Sequence, residues 1–275
     1  MSKQNNARAE PTLAEIEATR AWLRKRGVEV DLPTRMLTVR IGPRQSFGIA
    51  TRPLWHLGSL AAAFGLFIAS GFLPVVDYSE MAESRYVHLG IATIQLGIWL
   101  SFLYRERQLG GLPDRRSGRP SALEVLGGWY LVSLLITFVG GGALGVTMYL
   151  TTPARTYAWT WLAGLGWAAL CCSVILLGTL LRGVRADDEA SAAVDRALRN
   201  QDCWMVVPGI YALAALVDPL FSHRSPAGFT WWLVLYAVVS IATTVIGVGR
   251  LPRHLDLPLG DYETSTRHEV EGGRR

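Results

Sequence analysis

Between Val125 and Leu150 the sequence reads VLGGWYLVSLLITFVGGGALGVTMYL, 26 residues without a charge or a side-chain amide. A helix crossing the roughly 30 Å hydrocarbon core of a bilayer needs only about 20 such residues. Ser133, Thr137, Gly141 and Gly145 recur every fourth residue, which places them on one slowly drifting stripe of that helix. Small residues let another backbone approach closely where lipid supplies no hydrophobic force to bring helices together. The stripe therefore predicts a helix-packing face and makes this helix the expected hub of a bundle. The competing reading is that these glycines only reflect the higher tolerance of membrane helices for Gly.

Five further apolar runs of similar length accompany it: Leu54–Val76, Tyr86–Tyr104, Tyr157–Leu181, Cys203–Phe221 and Phe229–Val248. Pro208-Gly209 should bend the fifth of the six runs, and Asp218-Pro219 interrupts its far end. Half of all residues are apolar, and the Trp, Tyr and Phe side chains gather at the edges of the runs, as rings at headgroup level do. The expected fold class is an all-α polytopic membrane protein with six transmembrane helices. The net charge of +5 does not mark a nucleic-acid binder, because the basic residues sit in the connections between runs. Of the 27 Lys and Arg residues, 24 fall in the N-terminal segment, the second and fourth connections and the tail. Only Arg85, Arg155 and Arg224 fall in the other three connections. An excess of basic residues marks the cytoplasmic side, so both termini are expected inside, in a plasma membrane. Lys occurs only at Lys3 and Lys25, the bias of a GC-rich coding sequence, and the expected source is bacterial. No cleavable signal precedes the first run, which then serves as its own insertion signal.

The polar parts divide into residues 1–52 and 250–275, flanking a membrane domain of 53–249. Thr12 and Glu15 have the spacing of a capping box. They open a short amphipathic helix in which Trp22 and Arg24-Lys25-Arg26 suit an anionic membrane surface. Val28, Val30 and Leu32, then Leu37, Val39 and Ile41, alternate with other residues around Pro33-Thr34, a pattern that predicts a small β-hairpin. In the fourth connection, Arg182–Asp202, acidic residues begin and arginines end a helix whose Ala190, Ala193, Val194, Ala197 and Leu198 share a face. That face is expected to receive either a partner protein or the N-terminal segment. The tail, rich in Gly and Pro, is expected to be loosely ordered.

Polar groups at membrane depth are costly, which makes each a functional candidate. Gln95 lies near the middle of its run and either lines a polar path or bonds a neighbouring helix. Asp218, near the outer end of the fifth run, either belongs to the same solute path or is hydrated or capping a helix end. Asp77, Glu80 and Glu83, with His88, form the concentrated acidic patch on the outer side. Together with Asp218 and His223 they would make a shallow cation site, without matching any strong metal signature. Haem, zinc and nucleophilic chemistry lack their residues. Cys171, Cys172 and Cys203 form no C-x-x-C pair, His56, His223, His254 and His268 lie in loops or at interfaces, and no nucleophile–base pair assembles. No cofactor is expected, and an enzyme is the least supported class.

Two functions remain. Six spans with both ends inside and an amphipathic helix ahead of the first resemble the membrane subunits of ATP-driven exporters. That likeness is one of architecture with no shared motif. It implies a permease-like subunit moving a small or amphipathic solute with a separate ATPase. The alternative is a non-catalytic scaffold or accessory subunit, in a complex or a homo-oligomer held by small-residue faces.

Overall fold

The computed structural model describes residues 10–46, 58–65, 68, 80–107, 109, 114–115, 121–186, 188–222, 225–250, 257–258 and 260–263. Almost all of this is helix. Four helices are long and apolar enough to cross a membrane: α3 (Ser84–Arg107), α5 (Gly128–Thr151), α6 (Arg155–Leu181) and α9 (Thr230–Arg250). These are the lengths and compositions of a multi-pass membrane protein. The first expected span falls largely outside the described residues, although 58–65 are helical.

The third expected span begins three residues late for a local reason. A short helix, α4 (Ala122–Leu126), is opened by a capping box of Ser121 and Glu124 and ends at Gly127. Gly127 has φ 72° and ψ 154°, a conformation open to glycine and strained for residues with a Cβ. The chain turns there and α5 starts at Gly128. The fifth expected span is not one helix. A helix α7 (Glu189–Trp204) is followed by α8 (Pro208–Ala214) and a single π-helical turn at Asp218–Ser222. Pro208 occupies the first turn of α8, where its missing N–H removes no hydrogen bond.

The most buried of the apolar helices is α6 rather than α5. In its most apolar stretch 44% of the residues are buried, against 28% in α5. Around α6 lie α3 and α5, and α5 pairs antiparallel with α9. Ser133 bonds Thr244 and Thr137 bonds Ser240, each at 2.5 Å, and the Tyr236 hydroxyl donates to the Thr137 carbonyl at 2.7 Å. Each helix advances by about four residues per contact. On an α-helix a four-residue step overshoots a full turn by about 40°, so three steps would swing Gly145 about 120° from Ser133. The π-helical turn at Leu135–Gly140 is wider and takes up about one residue, and the stripe passes from α9 at Ser133 to α6 at Gly145.

The basal end of the bundle carries a folded module. The capping box at Thr12 and Glu15 opens α1 (Leu13–Arg24). The hairpin expected over residues 28–41 does not form, because residues 35–45 are a helix, α2 (Arg35–Gln45), capped by Thr34. Leu37, Thr38, Val39, Arg40 and Ile41 are all buried. A helix enclosed on nearly every side shows no polar face and hence no 3.6-residue period. Trp22 does not lie at a membrane surface. It is 3% exposed, packed with Leu23, Leu37 and Ile41 against Val194 and Leu198 of α7, with the Arg26 guanidinium over its ring. The face of α7 is thus filled by the N-terminal segment. The described part of the tail docks there too: Tyr262 is buried in the same cluster and its carbonyl accepts from Thr34 N–H at 3.1 Å. Between the second and fourth connections runs a two-residue antiparallel ladder, β1 (Asp114–Arg115) with β2 (Val184–Arg185).

Candidate functional site

Two clusters of polar side chains lie inside the fold, one at each end of the bundle. The basal one joins α2, α3, α6 and α7. Arg44 grips Asp202 with two hydrogen bonds, Nε to Oδ1 at 2.7 Å and Nη2 to Oδ2 at 2.8 Å. Its Nη1 lies 2.8 Å from Glu106 Oε1 near the end of α3. Arg40, one turn earlier on α2, binds Asp195. Arg199 Nε donates to Asp195 Oδ2 at 2.7 Å. Its two terminal nitrogens donate to the Thr179 and Gly183 carbonyls at 2.9 and 2.8 Å, satisfying the C-terminus of α6. Arg182 Nη1 completes the set on Glu106 Oε2 at 3.0 Å. No side chain in these four guanidinium and three carboxylate groups is more than 8% exposed.

Electrostatics favour the charged forms of Asp195 and Arg44. Burial alone would push the Asp195 carboxyl up, but Arg40, Arg182 and Arg199 together hold it below the usual carboxylate range. Burial would lower Arg44, and the carboxylates of Asp202 and Glu106 outweigh it and raise the guanidinium above its ordinary value. Nearer α1, Arg105 reaches Glu15 at 3.1 Å. Every carboxylate of the network is engaged by a guanidinium, so the arrangement fastens elements together and leaves no group poised to attack a substrate. Sequence reasoning assigned Arg40, Arg44 and Arg182 to membrane orientation, and Arg199 to that and to the end of its helix. The signal that would have found the network is Asp195 and Asp202, seven apart on the apolar side of α7.

At the opposite end Asp218 is the organising group, and it is wholly buried rather than hydrated. Its Oδ1 accepts from the backbone N–H of Glu83 at 2.6 Å and of Ser84 at 3.2 Å. Its Oδ2 accepts the Ser84 hydroxyl at 2.6 Å and the Tyr157 hydroxyl at 2.9 Å. It thereby caps the N-terminus of α3, where backbone donors and the helix dipole favour an anion, and ties α6 to the same point.

Between the two ends, side chains take up carbonyls released by the breaks in the fifth run. Tyr130 donates from its hydroxyl to the Cys203 carbonyl at 2.9 Å and to that of Val206. His88 Nε2 lies 2.9 Å from the Tyr211 carbonyl. The backbone N–H of Ala215, four residues on, bonds Ala212 instead, so the histidine takes the place of a helical partner. Gln95 accepts from the Tyr211 hydroxyl at 2.5 Å, joining α3 to α8. Phe138, in the π turn of α5, packs against the Tyr211 ring at 5.6 Å.

The acidic patch read from sequence does not converge. Glu80 is exposed, Glu83 is half-buried, and His88 sits inside the bundle. Asp77 and His223 lie outside the described residues. Among the described residues no group of three or more His, Cys, Asp or Glu is placed to hold a metal ion. Of the stripe, Ser133 and Thr137 face α9. Gly141 lies against Tyr236 and Leu165, and Gly145 against Leu162 and Trp161 of α6. Cys171, Cys172 and Cys203 are buried free thiols.

No protein-family model, no curated protein and no solved structure matches this chain.

Proposed function

We propose that this chain is a non-catalytic membrane scaffold, a bundle that holds a rigid cytoplasmic platform built from α1, α2, α7 and the docked tail. The observation that carries the reading is the seven-residue ion network between that platform and the ends of α3 and α6. Burying so many charges gains little net stability over apolar packing. What such a network supplies here is a fixed geometry between platform and bundle. Asp218 fixes the other end, so helices that would slide in an alternating transporter are fastened at both ends. The partner would be a protein bound at the exposed side of the platform or a further copy of the chain.

The orientation belongs to the same reading. The basal end, carrying the Arg-rich connections, faces the cytoplasm of a bacterial plasma membrane. The chain then passes between the two ends six times, with residues 205–222 as a broken fifth passage. A reporter fused after Leu109 or at the C-terminus is expected to read cytoplasmic, and one after Thr152 external. An external C-terminus would overturn the six-pass arrangement.

The second reading, a permease-like subunit working with a separate ATPase, is favoured by that broken passage beside the π turn of α5. Interrupted helices at membrane depth line substrate sites in many transporters. An impermeant thiol reagent separates the two. In a background lacking Cys171, Cys172 and Cys203, a cysteine at Glu80 should react from outside and one at Gln95 should stay protected, because Gln95 bridges two helices. Reaction at position 95, above all with a candidate ATPase and nucleotide present, would favour transport over scaffolding.

A further inference from the structure

We propose that His88 is a proton-binding site that couples acid to the packing of the broken fifth passage. The imidazole is fully buried, and its two nitrogens have different surroundings. Nε2 faces the Tyr211 carbonyl at 2.9 Å. A carbonyl only accepts, so the neutral ring carries its proton on Nε2 and presents a lone pair at Nδ1. Nδ1 is buried and has no hydrogen-bond partner among the described residues. It points to Gly164 of α6, where a Cβ would lie 3.3 Å from it and 2.9 Å from the Arg85 Cα. The adjoining Trp161 ring meets the imidazole edge-on at 6.4 Å between centres, and its Nε1 is likewise buried and without a partner. Among the described residues an unmet acceptor on one ring is thus matched by an unmet donor on the adjoining ring, with no bond between the two.

Protonation reverses one half of that match. Nδ1 becomes an N–H donor in a space bounded by the Gly164 backbone and another donor ring. A buried donor left without an acceptor is destabilising. Burial disfavours the new charge, and two features of the surroundings offset part of that cost. His88 caps the C-terminal end of α8, the negative end of that helix, and Asp218 supplies a carboxylate one turn away at the start of α3. The other groups facing this region are Arg85 on α3, Tyr157 on α6 and Tyr211 on α8. Arg85 is bound to the Ala82 carbonyl and Tyr86. Tyr157 is bound to Asp218 and Tyr211 to Gln95. Relief comes when the ring turns or α8 shifts, and either movement releases the Tyr211 carbonyl. Acid therefore loosens α8 from α3.

The test uses the full chain in lipid nanodiscs. With histidine labelled by ¹⁵N, and the other four histidines replaced by Gln, His88 is expected to show the Nε2–H tautomer at neutral pH. It should take up a proton on acidification while the protein stays folded, with Trp fluorescence changing in step. His88→Gln keeps a donor for the Tyr211 carbonyl and should lose the acid-dependent fluorescence change. A ring that stays neutral down to the pH of unfolding would overturn the proposal, and so would an unaltered fluorescence response in His88→Gln. If that variant fails to fold, the tautomer and its titration in the native protein decide alone. Neither result depends on whether the chain is a scaffold or a permease.

Discussion

Replacing Asp202 by Ala is expected to destabilise the protein by about 3–5 kcal/mol, the usual consequence of removing one partner from a buried ion pair. Arg44 would lose both of its short contacts to the carboxylate at 2.7 and 2.8 Å while staying buried. For a chain of this size that corresponds to a fall of about 6–20 °C in melting temperature. The damage should be local first. Trypsin should cut within α2 at Arg35 or Arg40 under conditions that leave the wild type intact, because the platform separates from the bundle before the apolar helices do. The double variant Arg44→Met/Asp202→Leu removes both charges together and should recover part of the loss, since apolar side chains of similar volume often replace a buried pair without cost and Glu106, which loses Arg44, keeps Arg182. A melting temperature for Asp202→Ala within 1 °C of wild type would show that the network does not hold the platform.

The pH dependence of that network differs from that of His88. Asp195 has a folded-state value held below the usual carboxylate range. Its contribution is therefore complete above the unfolded value near 3.9 and is lost only as the pH falls through the lower folded one. Arg44 is shifted upward, so its contribution is complete at all pH values below the ordinary guanidinium range. Neither group titrates between about pH 5 and 8. Melting curves over that interval should leave the basal platform's protease resistance unchanged, even where Trp fluorescence follows the membrane core.

Much of the membrane part was legible because its signals are local and redundant. Apolar runs longer than about 18 residues leave few alternatives to a spanning helix, and α3, α6 and α9 begin and end within a few residues of their expected bounds. The break of the fifth run was written in Pro208 and in Asp218-Pro219. α1 was legible from its capping box, and α7 from the period of Ala190, Val194, Ala197 and Leu198. What failed was α2. Its apolar residues alternate by chance at Leu37, Val39 and Ile41, and Arg40 and Arg44 counted only towards membrane orientation. In the fold both are buried, because their partners Asp195, Asp202 and Glu106 come from more than 60 residues away in sequence. No reading of one segment could supply that compensation. The role of α6 as the centre was hidden for a related reason. Its surfaces are apolar all round, and the small-residue stripe on α5 drew attention to a neighbour. The capping of α3 by Asp218 and of α8 by His88 likewise joins residues that no spacing rule connects.

Replacing both Gly141 and Gly145 by Leu is expected to be the most damaging change within the membrane. A Cβ on Gly141 would lie 2.7 Å from the Tyr236 hydroxyl and 2.8 Å from a Leu165 methyl, and one on Gly145 would lie 2.6 Å from a Leu162 methyl. Those neighbours have little room to yield: Tyr236 is anchored by its hydrogen bond to the Thr137 carbonyl, and Trp161, also touching Gly145, is fully buried. Overpacking typically costs about 1–3 kcal/mol at each site, and the two sites share α6, so their effects will not simply add. Loss of the α5–α9 contact should also free Ser133 and Thr137 from Thr244 and Ser240. The matched control is Gly140→Leu/Gly142→Leu. It makes the same two substitutions on the same helix, at positions where a Cβ meets nothing within 4 Å. That variant should fold as the wild type does, or slightly better, since Gly is the poorer helix former by about 1 kcal/mol. The comparison is read as the fraction surviving heat in detergent, by size-exclusion chromatography. Equal survival of the two double variants would mean that Gly141 and Gly145 are tolerated in the helix and do not serve as its contact points.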